Sequence, residues 1–189
     1  MRINRKKIIN KAWWLIGVMG ICLHMSIAAQ TCDPSVPATA PASRFNDNGD
    51  GTATDRKTGL MWKQCMEGKT GHGCGDASSD VSSLDKFNWQ QALQRAETSE
   101  FAGYQDWRLP NIKELASIVE RKCRDSAINS TIFPRMGNSY FFWSGSPALP
   151  TGSSIDASWG IIFGTGAIEA KNRDYNYWGK ALLVRDTQL

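Results

Sequence analysis

Apolar residues recur at helical spacing in two segments near the middle of the chain. In the first segment one apolar face is formed by Trp89, Ala92, Leu93 and Ala96. Asn88 precedes this face as an N-cap residue, and Gln91 stands at the capping-box position three residues later. The pattern predicts a helix that begins after Asn88 and ends near Thr98.

The second segment, residues 106–115, changes from an extended run directly into a helix. Pro110 ends a strand and disfavours helix at the residue before it. Asn111 can cap a new helix, with Glu114 completing a capping box. The apolar positions that follow helical spacing are Ile112, Leu115, Ile118 and Val119. We therefore predict a strand and then a second helix that ends between Arg121 and Arg124.

Strand patterns lie on both sides of these helices. Residues 52–55 and 60–63 are short candidates before them. The candidates after them are a strand at 140–144, a hairpin of 158–163 with 167–171, and a final strand at 181–185. The final run is mostly apolar, which predicts a central position. Two consecutive helices between groups of strands favour an α+β fold with antiparallel pairing over a doubly wound sheet.

Residues 1–29 have the pattern of a secretory signal peptide. Cations, an apolar run at 12–23 and small residues follow one another, which predicts cleavage after Ala28 or Ala29. We expect the product to be periplasmic or secreted, in a bacterial cell envelope. A retained membrane anchor is disfavoured by the short apolar core, which His24 interrupts. A lipoprotein is disfavoured because Ile21, rather than a small residue, precedes Cys22.

Cleavage also changes the charge of the protein. The whole chain has 22 Lys and Arg against 18 Asp and Glu, and removing the five cations of the signal leaves 17 cations against 18 anions. The resulting net charge of −1 does not support nucleic-acid binding, and no stable membrane anchor is expected after cleavage. Residues 30–43 are rich in Pro, Ala, Ser and Thr and are predicted to form a linker. One domain then spans residues 44–189.

Four cysteines remain after the signal: Cys32, Cys65, Cys74 and Cys123. An even number in an exported chain predicts two disulfides, for which three pairings exist. Cys65 and Cys74 flank a glycine-rich loop, which favours a local pair and leaves Cys32 for Cys123. A zinc site is the alternative. The spacing is not CxxC and His72 is the only nearby imidazole, so the disulfides are preferred.

The NDNGDG segment at residues 46–51 is the candidate cation site. Asn46, Asn48 and Asp50 stand like the first three ligands of an EF-hand loop, with Gly51 at the position of its invariant glycine. Lys57 occupies the position of the final bidentate glutamate, so a turn with positive φ is the preferred interpretation. Apart from this weak calcium candidate, no cofactor is expected. The sequence contains no catalytic motif, so we do not expect an enzyme.

Aromatic and amide residues before the last strand predict a binding surface. Segment 172–178 alternates aromatic, amide and charged residues, a composition typical of recognition surfaces and suited to sugars. The candidate ligand-binding residues are Trp143, Ser144, Asn172, Arg173, Tyr175, Asn176, Tyr177 and Trp178. By contrast, Asp106 and Arg108 share a face of the predicted strand. We expect them to form a structural ion pair, with Arg185 in the same network.

Six motifs, taken together, resemble the Lcl C-terminal domain family, which is named for a bacterial collagen-like surface adhesin. They are FNDNGDGTATDRKTGLMWKQC (45–65), FNWQQALQRAE (87–97), GYQDWRLPNIKELASIVE (103–120), FFWSGSP (141–147), ASWGIIFGTG (157–166) and LLVRD (182–186). The resemblance implies a C-type-lectin-like fold, related to the sulfatase-modifying (formylglycine-generating) fold. In such folds two consecutive helices pack on a small twisted antiparallel sheet with long loops.

The residues and the resemblance together predict an exported, non-catalytic binding module, with adhesion as one role. Its ligand would be a glycan or another surface polymer. One alternative is an enzyme of the formylglycine-generating type. Those enzymes act through a cysteine pair in the C-terminal half, and no cysteine follows Cys123 here. The other alternative is a structural partner subunit of a cell-envelope assembly.

Overall fold

The computed structural model describes residues 30–70, 72–74, 86–137, 139–149, 156–173 and 179–187. The predicted signal peptide, residues 1–29, lies outside these residues. Within the described part of the chain, no helix is both long enough and apolar enough to cross a membrane.

The described residues form two α-helices and three antiparallel sheets. The elements are β1 (Thr31–Cys32), β2 (Phe45–Asp47), β3 (Thr52–Asp55), β4 (Leu60–Lys63), α1 (Trp89–Glu97), α2 (Ile112–Ser117), β5 (Cys123–Arg124), β6 (Phe141–Ala148), β7 (Ala157–Ile162), β8 (Ala167–Asn172) and β9 (Val184–Asp186). The sheets have the strand orders β1-β5, β2-β3-β4-β9 and β6-β7-β8. The predicted α+β class with antiparallel pairing is confirmed.

The NDNGDG segment forms the turn between β2 and β3. Gly49 and Gly51 take φ values of 78° and 86°, the left-handed conformation that a turn requires and glycine supplies. The turn is narrower than the sequence suggests, because Asn46 and Asp47 belong to β2 and pair with β3. The strands β3 and β4 have the predicted bounds.

Both helices begin where their caps predict, but the second helix is short. Asn88 and Asn111 each accept a hydrogen bond from the backbone N–H three residues later, and both capping boxes are complete. The first helix ends at the predicted place, with Thr98 as its C-cap. The second helix ends at Ser117, before the predicted 121–124, because the chain leaves helical geometry and Val119 forms a bridge elsewhere in the fold.

The segment before α2 is extended without being a full strand. The structure gives it a single bridge, in which the N–H groups of Arg108 and Val184 donate to each other's carbonyl oxygens. The predicted strand is therefore corrected to an extended connection. It lies against the C-terminal part of the chain and leads directly through Pro110 to the cap of α2.

The C-terminal segment 180–186 connects the two larger sheets. The Lys180 N–H donates to the Phe141 carbonyl, and β9 pairs with β4. β9 lies at the end of its sheet, so the predicted central position is corrected. The segment is nevertheless buried, because it passes between two apolar clusters. Leu182 and Val184 contribute to one cluster and Leu183 to the other, as the twofold alternation of extended chain requires.

Residues 30–43, predicted to be a linker, instead form an arm packed on the domain. β1 pairs with β5, and Ala40 is fully buried in the larger apolar cluster. The Glu120 carboxylate accepts hydrogen bonds from the N–H groups of Thr39 and Ala40, each at 2.9 Å. A segment rich in Pro, Ala, Ser and Thr is typical of a flexible linker, but its small side chains also let it pack closely on a domain. Composition alone does not distinguish these two cases.

Two disulfides join Cys32 to Cys123 and Cys65 to Cys74, which confirms the preferred pairing. The first closes a separation of 91 residues and ties the arm to β5, whereas the second closes a separation of nine residues. Structural disulfides of this kind form and persist in oxidising compartments outside the cytoplasm.

Candidate functional site

The site begins at Arg173, which follows the last residue of β8. Its N–H donates to the carbonyl of Asp156 at 3.0 Å, which extends the β7–β8 ladder by one pair. Its Nη1 lies 2.7 Å from an Asp156 carboxylate oxygen, and its Nε donates to the Ser158 hydroxyl at 2.7 Å. Backbone and side chain are therefore both fixed, so the guanidinium has a defined position.

Trp89 supplies an aromatic ring directly beneath that guanidinium. The Arg173 Cζ lies 4.2 Å from the centroid of the half-buried Trp89 ring, a cation–π arrangement. The Trp89 Nε1–H donates to the Ser144 carbonyl at 2.8 Å, which holds the ring. Trp89 is the first residue of α1, and it is half-buried against the apolar cluster that contains Leu183.

Trp143 and Ser144, two of the predicted ligand-binding residues, lie in the core beneath this pair. Both are fully buried. The Trp143 Nε1–H donates to the Phe87 carbonyl at 2.8 Å, and the Ser144 hydroxyl donates to the Trp159 carbonyl at 2.7 Å. A fully buried ring has no face to offer to a ligand, so we assign both residues to positioning Trp89 and β7.

The structure describes only one more of the predicted site residues besides Arg173, Trp143 and Ser144. Asn172 is exposed at the end of β8, next to Arg173. The other four predicted residues lie outside the described residues: Tyr175, Asn176, Tyr177 and Trp178. Sequence reasoning did not include Trp89 or Asp156. Trp89 lies on the apolar face of α1 that the sequence predicts and is half-buried, and no local pattern indicates its contact with Arg173.

The oxygens of the NDNGDG segment form the hydrogen bonds of a turn. The Asp50 carboxylate accepts from the N–H and the hydroxyl of Thr52, at 3.0 and 2.6 Å. The Asn48 side-chain carbonyl accepts from the Asn46 amide at 3.0 Å. Within the described part of the chain, no group of three or more His, Cys, Asp or Glu side chains is arranged to hold a metal ion.

The family model of the Lcl C-terminal domain matches residues 51–185, which is more than half of the chain. The chain belongs to the Lcl C-terminal domain family. The matched region contains both helices, the Cys65–Cys74 disulfide and the Trp89–Arg173 pair. No curated protein matches the chain significantly.

In this Lcl C-terminal domain the predicted ion pair has different partners. Asp106 pairs with Arg185 rather than with Arg108, and the Arg185 Nε lies 2.7 Å from the carboxylate. Arg108 instead binds Glu114 at 2.8 and 2.9 Å and Asp186 at 2.9 Å. The predicted strand would have put both side chains on one face. The observed connection is not regular strand, so they find separate partners.

The electrostatics of this network support a structural role. The hydrogen bonds from Arg185 hold the pKa of Asp106 below its ordinary value of 3.8. The same contact raises the pKa of Arg185 above its usual range. The ion pairs join the connection before α2 to β9, and they lie on different elements from the Trp89–Arg173 pair.

Proposed function

We propose that this Lcl C-terminal domain is an exported, non-catalytic binding module that recognises a glycan or another surface polymer. Adhesion is one role that such a module would serve. The observation that carries the proposal is the Trp89–Arg173 pair, in which a half-buried ring and a fixed guanidinium lie together where β8 ends.

The chemistry of the pair suits a sugar. A pyranose ring presents hydroxyls that accept hydrogen bonds from a guanidinium. It also presents C–H groups, which would contact the part of the Trp89 ring that neither Arg173 nor the apolar cluster covers. Asp156 and Ser158 already hold Arg173 in place, so binding costs less side-chain entropy than it would for a free arginine. Asn172 is exposed beside it and adds an amide to the same surface.

Two further observations support an exported lectin-like module. The two disulfides suit an oxidising compartment, which agrees with the signal peptide predicted for residues 1–29. The α+β class, the antiparallel sheets and the paired disulfides are compatible with the C-type-lectin-like fold that the resemblance implies. We include that fold in the proposal.

A glycan array probed with the purified protein tests the proposal. We expect selective binding, and we expect Arg173→Gln to weaken it by about tenfold, as removal of a central interface arginine commonly does. Lys57→Gln, which removes an exposed cation from the β3–β4 turn, is the matched control and should bind normally. The double variant Tyr175→Ala with Tyr177→Ala tests the part of the surface that only the sequence predicts.

Two outcomes would overturn different parts of the proposal. If the native protein binds no glycan on the array, the assignment of a glycan as the ligand is wrong. If it binds and Arg173→Gln binds equally well, the ligand class stands and the site assignment is wrong.

A further inference from the structure

A cavity of about 430 Å³ lies around the Cys32–Cys123 disulfide. Its walls come from the arm at 31–36 and from the segment Arg121–Arg124, and both cysteines line it. The cavity lies on different segments from the Trp89–Arg173 pair.

The two disulfides differ in exposure. Cys32 is exposed and Cys123 is half-buried, at the wall of the cavity. Cys65 and Cys74 are only 5% and 2% exposed. A thiol in solution can therefore reach the Cys32–Cys123 bond in the folded protein, whereas the second bond is shielded.

The charges around the exposed disulfide are mostly positive. Arg121, Lys122 and Arg124 surround Cys123 in the chain and line the cavity. No carboxylate of a described residue lies within 4.0 Å of their charged groups. Asp33 is the acidic residue of the lining, and its carboxylate accepts hydrogen bonds from the N–H and hydroxyl of Ser35.

This environment favours thiol–disulfide exchange in two ways. Neighbouring cations stabilise a thiolate, which makes a cysteine a better leaving group when its disulfide is attacked. The three cations also outnumber the one carboxylate of the lining, that of Asp33, which interacts electrostatically with Lys122 and Arg124. The remaining positive charge attracts an attacking thiol that carries carboxylates of its own. Cys65 and Cys74 differ from this pair because both are buried. Cys65 borders a second cavity, and among the described residues its lining includes Asp47 and Asp50 but no lysine or arginine.

We propose that Cys32–Cys123 is a thiol–disulfide exchange site that reacts with carboxylate-bearing thiols, and that Cys65–Cys74 is a purely structural bond. The incoming thiolate attacks the Cys32 Sγ, the S–S bond breaks, and Cys123 leaves as a thiolate that takes up a proton. A second thiol attacks the incoming sulfur and releases Cys32. Two thiols are thereby oxidised to one disulfide, and their two electrons and two protons pass to the two cysteines.

Exchange would remove the covalent tie between β1 and β5 without unfolding the domain. The hydrogen bonds from Thr39 and Ala40 to Glu120 remain, and Ala40 stays in the apolar cluster. The residues before Ala40 would then be held only by non-covalent contacts, which include the β1–β5 pairing and the hydrogen bond from the Asp33 N–H to the Lys122 carbonyl.

Reduced glutathione, which carries two carboxylates, is the probe for the test. Native protein is incubated with it, quenched with an alkylating reagent and analysed by peptide mass spectrometry. We expect Cys32 and Cys123 to be modified at least about tenfold faster than Cys65 and Cys74, because access and thiolate stabilisation both favour them. Equal rates at the two disulfides would overturn the proposal.

A charge variant separates the effect of the cations on the reaction rate from the effect of exposure alone. The triple variant Arg121→Gln, Lys122→Gln and Arg124→Gln should react with glutathione several-fold more slowly, and its rate with neutral 2-mercaptoethanol should fall less. A control with Lys57→Gln, Lys86→Gln and Lys113→Gln removes three exposed cations that do not line the cavity, and it should react like the native protein. Equal glutathione rates in the two variants would show that the cations play no part, which contradicts the proposal.

Discussion

The Asp106 carboxylate accepts two hydrogen bonds from the guanidinium of Arg185, from Nε at 2.7 Å and from Nη2 at 3.0 Å. Arg185 is only 7% exposed, and its Cζ lies 3.9 Å from the centroid of the Tyr104 ring. The arginine is thus enclosed by an aromatic face and one carboxylate. Asp106 thereby helps to hold the connection before α2 against β9, beside the Arg108–Val184 bridge and the Arg108–Asp186 ion pair.

We expect Asp106→Ala to lower the free energy of unfolding by about 2 kcal/mol, because it leaves a nearly buried guanidinium without its carboxylate. Urea denaturation under non-reducing conditions measures the change. Asp186→Ala is the control, since its partner Arg108 has a side chain that is 37% exposed, against 8% for that of Arg185. It should cost less than about 0.5 kcal/mol, as exposed ion pairs do. Equal costs for the two variants would contradict a structural role specific to Asp106.

The helix starts could be predicted because their signals are local. A cap residue and its partner three positions later are neighbours in sequence, so Asn88 with Gln91 and Asn111 with Glu114 determine the start of each helix without the rest of the fold. The end of α2 depends on tertiary structure. Val119 forms a bridge with Ile128, and no local pattern announces that pairing.

The candidate site was only partly predictable for the same reason. Arg173 was found because it lies in a segment with the composition of a recognition surface. Trp143 has the same aromatic chemistry, but it packs between Phe141 and the C-terminal segment, and burial of that kind is decided by contacts between distant parts of the chain. Trp89 was missed because the residue that covers its ring, Arg173, lies far away in sequence.

Glu120 should hold the N-terminal arm in place. One oxygen of its carboxylate accepts hydrogen bonds from the N–H groups of Thr39 and Lys122, and the other accepts from the Ala40 N–H. Glu120→Gln replaces one of these oxygens with an NH2 group, so at least one N–H would face another donor. We expect a loss of about 2 kcal/mol in the free energy of unfolding, because backbone N–H groups in a partly buried site lose their acceptor. Hydrogen exchange at Thr39 and Ala40 should accelerate. Glu97→Gln on the exposed face of α1 should change neither quantity.

Protonation of the Asp55 carboxyl should make the protein less stable in acid. Burial raises the pKa of its carboxyl, but hydrogen bonds from Arg44, Thr58 and the Lys57 N–H outweigh burial and hold the pKa below the ordinary value of 3.8. A carboxyl with a lowered folded-state pKa stabilises the fold fully above its ordinary pKa. That stabilisation is lost as the pH falls through the lowered value.

Unfolding curves between neutral pH and strongly acidic pH test this expectation. The free energy of unfolding of the native protein should fall more steeply below the ordinary pKa of 3.8 than that of Asp55→Asn, which has no carboxyl to protonate. Asp47→Asn removes an exposed carboxyl of β2 and should keep the native slope. If Asp55→Asn also keeps the native slope, the contacts with Arg44 and Thr58 do not favour the ionised form.

Gly160 is required where β7 pairs with β6. A Cβ added there would lie 2.2 Å from the Phe142 carbonyl oxygen and 2.3 Å from the Phe141 ring. The carbonyl belongs to the backbone of β6, so it cannot move away without disturbing the pairing with β7. We expect Gly160→Ala to lower the free energy of unfolding by about 3 kcal/mol, as overpacking of a core does. Gly145→Ala is the matched control, because its nearest neighbour would be the Leu109 carbonyl oxygen at an ordinary 3.6 Å. A similar cost for both variants would mean that loss of glycine, rather than the close approach of β6, determines the effect.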